Sequence, residues 1–283
     1  MADQTPESPL TQAERHARAL DVMSTLRAGR VQDAQKGAEN TERTWGAIGT
    51  FACDFAMGEI WARPQLARHD RSLVVIAVLT ALGGQPMELR VHTRGALNHG
   101  ATREEVEEVL VHLSVYVGFP RAIAAFREVQ EVFKSLDGDT PQPPHQPAER
   151  KDDDQRRRDG LDVLRTIQGW TDDVDDATVT SELDAVLGRF APLAVNYVHG
   201  EVWSRPQLSR RDRSLITAAA SAVLGRDEDL RVHVKSALNH GATRDEIEEA
   251  FGQLLPYAGW PVGCGALRVA HEVFGEIDAL GGR

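Results

Sequence analysis

Apolar residues along this chain recur at helical rather than strand spacing. Thr11 with Glu14 fits a capping box, in which side chain and backbone satisfy each other's free donors, and it opens a first helix through about Gly29. Trp45, Ile48, Phe51, Phe55 and Ile60 recur about once per turn and predict a second helix over 41–62, broken by Pro64. Asp70 can N-cap a third helix, whose run from Leu73 to Leu79 is apolar all round and therefore buried. Taken alone that run also suits a buried strand, but no hairpin or β-α-β turn chemistry surrounds it. Pro86 suits the first turn of a fourth helix and Gly100 its left-handed stop. Thr102 with Glu105, and Thr243 with Glu246, form capping boxes for a fifth. Gly118-Phe119-Pro120 breaks that helix, and a last one runs to about Ser135. The predicted fold class is all-α.

The same pattern occurs twice. Leu97 to Arg103 recurs letter for letter as Leu238 to Arg244, His92 recurs as His233, and Tyr116 to Pro120 corresponds to Tyr257 to Pro261. Upstream, Gly58 to Leu66 matches Gly200 to Leu208, and Asp70 to Leu73 matches Asp212 to Leu215. This is a tandem duplication, so a polar residue kept in both copies was placed by the ancestral fold or chemistry. Residues 137–159, rich in proline and mixed charge, read as an extended, mobile linker. The domains are then 1–136, including an N-terminal helix, and 160–283.

Composition narrows the partners. A formal charge of −11 over 283 residues argues against nucleic acid and anionic membrane. No apolar run approaches a membrane span, and residues 1–10 have neither the basic start nor the apolar core of a signal peptide, so the expected location is cytoplasmic. Cys53 and Cys264 stand at non-equivalent positions and offer neither a C-x-x-C pair nor metal-ligand spacing.

Several polar residues need a reason. Leu89, His92, Ala96 and His99 share one helical stripe, repeated as Leu230, His233, Ala237 and His240. Histidine titrates near neutral pH, so His92 and His233 are candidate general acids or bases, set against the reading of a buried histidine satisfied by a carbonyl. His99 and His240 fall in the last turn, where the helix dipole explains them. His92 and His99 lie two turns apart, too far for one ion without a third ligand, so no metal site is expected. Glu59 with Arg63, and Glu201 with Arg205, stand one turn apart with Trp61 and Trp203 between them. They are either solvated ion pairs or the charged wall of a pocket. Arg71 and Arg213 follow an N-cap, an unfavourable place for a cation, and need a carboxylate from protein or substrate. Arg90 and Arg231 read as surface residues. The copies also diverge: His112 becomes Gln253, Val115 becomes Pro256, which should kink its helix, Met57 becomes His199 and Asp54 becomes Asn196. That pattern suggests one working site and one degenerate site, or a composite site between the copies. No Gly-rich phosphate loop, G-x-S-x-G elbow or Cys/His nucleophile pair is present.

The string W-x-R-P-x-L, D-R-S-L, E-L-R-V-H, A-L-N-H-G-A-T-R-E-E and Y-V-G-F-P resembles the carboxymuconolactone decarboxylase family of the alkylhydroperoxidase-like superfamily, over about 45–135 and again 190–277. The resemblance implies an all-α domain that forms trimers or hexamers, with a site among helices near subunit contacts. The peroxidase branch uses a C-x-x-C pair that neither copy has. For the decarboxylase branch it implies catalytic roles for His92 and His233 with Glu59 and Glu201. Trp61, Arg63, Arg71, His112, Tyr116, Trp203, Arg205 and His199 are then the substrate-binding set. Asp229, where the first copy has glutamate, and Gln253 depart from the pattern in the second copy. The implied reaction is cofactor-free decarboxylation of a small carboxylated γ-lactone. Arg63 and Arg71 would orient carboxylates, and His92 would donate a proton or a hydrogen bond to the dienolate oxygen. Two other readings stand beside it: a recruited tailoring enzyme acting on a larger acid or lactone, and a non-catalytic binding or assembly protein. The expected assembly is three two-domain chains in a six-domain ring.

Overall fold

In a computed structural model the described residues are 10–27, 29, 31–138, 145 and 147–281. All regular structure among them is helical. The chain divides into two compact units, Met1–Pro64 and Gln65–Arg283.

In the first unit, α1 (Gln12–Leu26) opens on the Thr11/Glu14 capping box and α2 spans Val31–Trp45. The single helix expected over 41–62 is divided at Gly46, whose φ of 58° interrupts the helix. Beyond it α3 (Ala47–Phe51) widens into a π-helical segment, Ala52–Trp61. Met23, Ala34, Ala38 and Cys53 form the core of this unit. Gly58 lets the π-segment press on α1, because a Cβ there would overlap the Arg15 carbonyl. Along the predicted stripe, Trp45, Ile48 and Phe51 are 61%, 73% and 67% exposed.

The second unit is built around two helices, α4 (Arg68–Leu82) and α11 (Arg210–Val223), one from each copy, packed on each other. The apolar run from Leu73 to Leu79 is buried along its whole length, as a helix. Asp70 does not cap α4. Ala67 holds the cap position, and Asp70 lies in the first turn with its carboxylate bonded to His69 (2.8 Å) and Arg211 (3.0 Å). The second copy has Ser209 where the first has Ala67, and there the serine hydroxyl does cap α11. Around this pair lie α5 (Pro86–Asn98), α6 (Arg103–Val117) and α7 (Phe119–Asp137) from the first copy. Both fifth-helix capping boxes form.

The second copy's helices begin inside the stretch expected to be an extended linker. Helix α8 (Asp153–Gln168) is capped by Asp152 and packs on a second π-helical segment, Ala194–Trp203. It is the counterpart of α1, and Gly160 and Gly200 again allow the close crossing. Lys151 is anchored by Asp159 (2.6 Å), the Gly200 carbonyl (2.9 Å) and Ser204 (2.7 Å). Between α8 and the π-segment lie α9 (Asp176–Leu187), a 3-10 turn and α10 (Ala191–Leu193). After α12 (Asp227–Asn239), Pro256 acts as expected. The fifth helix is split into α13 (Arg244–Gly252) and α14 (Leu254–Tyr257), because proline offers no N–H to the Gly252 carbonyl. Helix α15 (Trp260–Ala279) closes the unit.

Candidate active site

Glu108, one turn before His112 on α6, is the anchor of the second copy's site. Its carboxylate is buried and accepts hydrogen bonds from Arg213 Nη2 (2.7 Å) on α11 and from Arg205 Nε (2.8 Å) beyond the π-segment. Arg213 also donates to the Arg205 carbonyl (2.7 Å) and lies 3.1 Å from Nδ1 of His112. A guanidinium has only donors, so that Nδ1 accepts and the proton of His112 is on Nε2. Nε2 then donates to the Thr217 hydroxyl (2.8 Å), which itself donates to the Arg213 carbonyl (2.7 Å). The chain of bonds holds His112 as one neutral tautomer. Burial, with the Arg213 charge next in effect, pushes its pKa well below the usual imidazole range.

An aromatic layer adjoins this network. Trp203, the last residue of its π-segment, donates its indole N–H to the Tyr116 hydroxyl (2.6 Å) and lies edge-on to His112, centroids 4.8 Å apart. His233 on α12 stacks parallel to Trp203 (5.7 Å, 11°) and meets Tyr116 edge-on (5.5 Å). Its Nδ1 is buried and has no hydrogen-bond partner among the described residues. Burial depresses the His233 pKa to about 3, so at neutral pH it is a neutral imidazole with an unused polar atom. His199 stacks more loosely on Trp203 (6.5 Å), bonds the Ala194 carbonyl (2.9 Å) and is depressed by burial to about 4.

The first copy repeats half of this arrangement in reverse. Arg71 is fully buried, donates to the Leu66 carbonyl (3.0 Å) and pairs with Glu249 of the second copy (2.8 Å). His92 is buried, edge-on to Tyr257 of the second copy (4.9 Å), and burial depresses it to about 3. At the position of His112 stands Gln253, fully buried in the break between α13 and α14, with neither amide atom hydrogen-bonded among the described residues. The Thr217 position is Val75, so histidine and its hydroxyl partner have changed together.

The sequence-derived candidates therefore separate into groups. Trp203, His233, His199, His112, Tyr116 and Arg205 converge on one site, with the acid and the tyrosine supplied by the other copy. Glu201 does not join His233. It pairs with Arg156 (3.1 Å) and lines, with Arg205 and Lys151, a cleft of about 770 Å³. Arg71 and Arg213 have their carboxylates from the protein. Glu59 pairs with Arg15 (3.3 Å) within the first unit, where Trp61 is buried at the end of the π-segment and Arg63 is half-buried just beyond it. His99 and His240 are satisfied by Ser72 (2.9 Å) and Ser214 (2.8 Å), and Arg90 and Arg231 form surface ion pairs with Glu128 and Glu272. Glu108 and Glu249 escaped the sequence reading. Their repetition at equal spacing, together with two arginines in need of a carboxylate, was the available signal.

A model described as the Carboxymuconolactone decarboxylase family matches residues 47–131 and 189–272. The chain is 51% identical over 86 residues to a 4-carboxymuconolactone decarboxylase of Acinetobacter baylyi, covering 30% of this chain and 63% of that protein. It is 38% identical over 85 residues to a nitrosuccinic acid decarboxylase of Metarhizium robertsii, 29% and 57% of the two chains. It is 32% identical over 152 residues to peroxisomal protein 2 of Schizosaccharomyces pombe, 52% and 65% of the two chains. Each match spans less than two thirds of the relative's own length.

Proposed function

Because the chain belongs to the carboxymuconolactone decarboxylase family, we propose that it is a carboxy-lyase acting on a small carboxylated γ-lactone, with the second copy's composite site at work. The observation that carries this reading is His233: a buried neutral imidazole with an unpartnered Nδ1, stacked on Trp203 next to a cluster of two arginines and one carboxylate. That cluster retains one positive charge, which favours an anionic ligand in a dry site. In an unsaturated γ-lactone whose ring carbon bears a carboxylate, breaking the bond to CO₂ leaves the electron pair delocalised onto the lactone carbonyl. A fixed hydrogen bond from a neutral histidine to that oxygen stabilises the dienolate, and one proton delivered to carbon completes the reaction. His233 fits the hydrogen-bonding role, and Arg205, with its side chain about a quarter exposed, fits the carboxylate.

The test is CO₂ release from 4-carboxymuconolactone, with His233→Ala and His92→Ala alongside. The expected result is a kcat about a hundredfold lower for His233→Ala. Turnover close to wild type in that variant removes His233 from the mechanism, and loss only in His92→Ala moves the reaction to the first copy.

A second reading draws support from Arg71 and Arg213, which are fully buried against protein carboxylates and offer little to a substrate. A larger, less charged acid or lactone, handled by cyclisation, elimination or ring opening, fits that environment, and failure of the lactone assay in a well-folded protein would favour it.

Self-association into three chains belongs to the same proposal. Val186, Phe190 and Leu193 are more than half exposed in the second unit, as are Trp45, Ile48 and Phe51 in the first. Light scattering coupled to gel filtration should give the mass of three chains, and a monodisperse monomer at low micromolar concentration would contradict it.

A further inference from the structure

A cleft of about 670 Å³ opens where the two copies meet, at the C-terminal end of α6 and the N-terminal end of α12. Its first-copy wall includes Tyr116, Pro120 and Arg121, and its second-copy wall Ser221, Arg226 and Asp229. Tyr116 is the connection to the site, since the same residue accepts the Trp203 indole N–H and lies edge-on to His233. The cleft thus reaches the outer wall of the aromatic layer.

Its charge is unusual for this protein. The chain carries −11 overall, yet two arginines line this cleft against one aspartate. Arg121 donates one N–H to the Ala81 carbonyl (2.8 Å), a contact that aims the guanidinium while leaving most of its donors. Arg226 is exposed, and its side chain has no hydrogen bond or ion pair among the described residues. An arginine that the fold does not use, beside one that the fold orients, suits a bidentate anion.

The duplication supplies an internal control. Arg121 follows Pro120 at the start of α7, and its counterpart after Pro261 is Val262. Arg226 is the N-cap residue of α12, and the N-cap residue of the equivalent α5 is Gln85. Asp229 corresponds to Glu88, so the acid is kept in both copies, whereas Arg121 of the first copy and Arg226 of the second each have an uncharged counterpart.

We propose that this cleft is the anion entrance of the His233 site and that Arg121 and Arg226 select a small dicarboxylate, a preference the first copy's site lacks. The inference rests on the reading that the His233 site is the working one. It adds two residues to the substrate-binding set that lie outside the repeated motifs.

Succinate serves as a stable dicarboxylate probe. Calorimetric titration at low ionic strength should give one site per chain in the wild type. Arg121→Val combined with Arg226→Gln, which gives each position its counterpart from the other copy, should weaken binding at least about tenfold. Arg226→Gln alone changes an exposed side chain that bonds nothing among the described residues, guards against a folding defect at Arg121, and should weaken binding at least about threefold. No wild-type binding, or unchanged affinity in both variants, overturns the proposal. In the CO₂ assay the double variant should raise KM about tenfold with kcat within about threefold. Turnover with an unmoved KM would sink the entrance and leave the decarboxylase reading standing. Arginine-dependent succinate binding without any CO₂ release would do the reverse.

Discussion

Replacing Glu108 by glutamine is expected to cost about 3–5 kcal/mol of stability, although the side chain keeps its size. The carboxylate is 2% exposed and is shared by Arg213, which is fully buried, and Arg205. A neutral amide leaves two guanidiniums facing each other with no compensating charge, and one of its ends presents donors to donors. Arg213 already has its pKa lowered, with burial as the largest cause, so the fold holds it charged against a desolvation cost that Glu108 offsets. Urea unfolding should locate the loss. Glu249→Gln should show the same effect at Arg71, where the equivalent bond is 2.8 Å. A change under about 1 kcal/mol in both variants would mean that the buried pairs are not compensating charges in a dry interior. Replacing Glu108 and Arg213 together by methionine should recover much of the loss, since no lone charge then remains buried at that position.

Acidification should unfold the protein well above the pH at which most carboxylates titrate. His92 and His233 are neutral in the fold, with pKa values depressed by burial to about 3 against 6.5 in an open chain. His99, His199 and His240 are depressed to about 4, again with burial as the largest cause. The unfolded chain therefore binds protons that the folded chain refuses. Stability is complete above pH 6.5 and is lost as pH falls from there toward 4 and 3. By pH 4.5 His92 and His233 alone account for roughly 2–3 kcal/mol each. His69 acts in the opposite sense: its hydrogen bond to Asp70 raises its pKa, so it stabilises the fold as pH drops through its range. His112 is likewise pushed well below the usual imidazole range by burial, and six imidazoles outweigh one. Circular dichroism melts between pH 7 and 4.5 should show a steep fall in Tm, and a Tm constant over that range would refute the neutral, buried state of these rings. An activity profile limited by this unfolding should likewise drop on the acid side without an imidazole limb near 6.5 of catalytic origin.

Much of the local structure was legible from residue order because the forces that decide it act within a few positions. The three capping boxes need only a threonine and a glutamate three residues on, and they form where expected. The uniformly apolar run from Leu73 to Leu79 can only be buried, and Pro256 breaks its helix through the hydrogen bond it lacks. The duplication was also visible, and with it the residues the ancestor had placed.

Tertiary structure alone decided what each repeated side chain meets. Helical periodicity identifies a face but not the neighbour against which it packs, so the Trp45, Ile48 and Phe51 stripe turned outward. Arg213 finds its carboxylate 105 residues away in the other copy, and Trp203 its hydroxyl 87 away. His112 becomes a fixed neutral tautomer only because Arg213 and Thr217 approach its two nitrogens from a helix of the other copy. The resemblance implies a catalytic role for Glu201 beside His233, yet its carboxylate pairs with Arg156 on the helix crossing next to it. The local sequence prescribes helices and the charges they carry. Which charges are desolvated together depends on the packing of α6 against α11, where burial makes a missing partner costly enough to select the pairing.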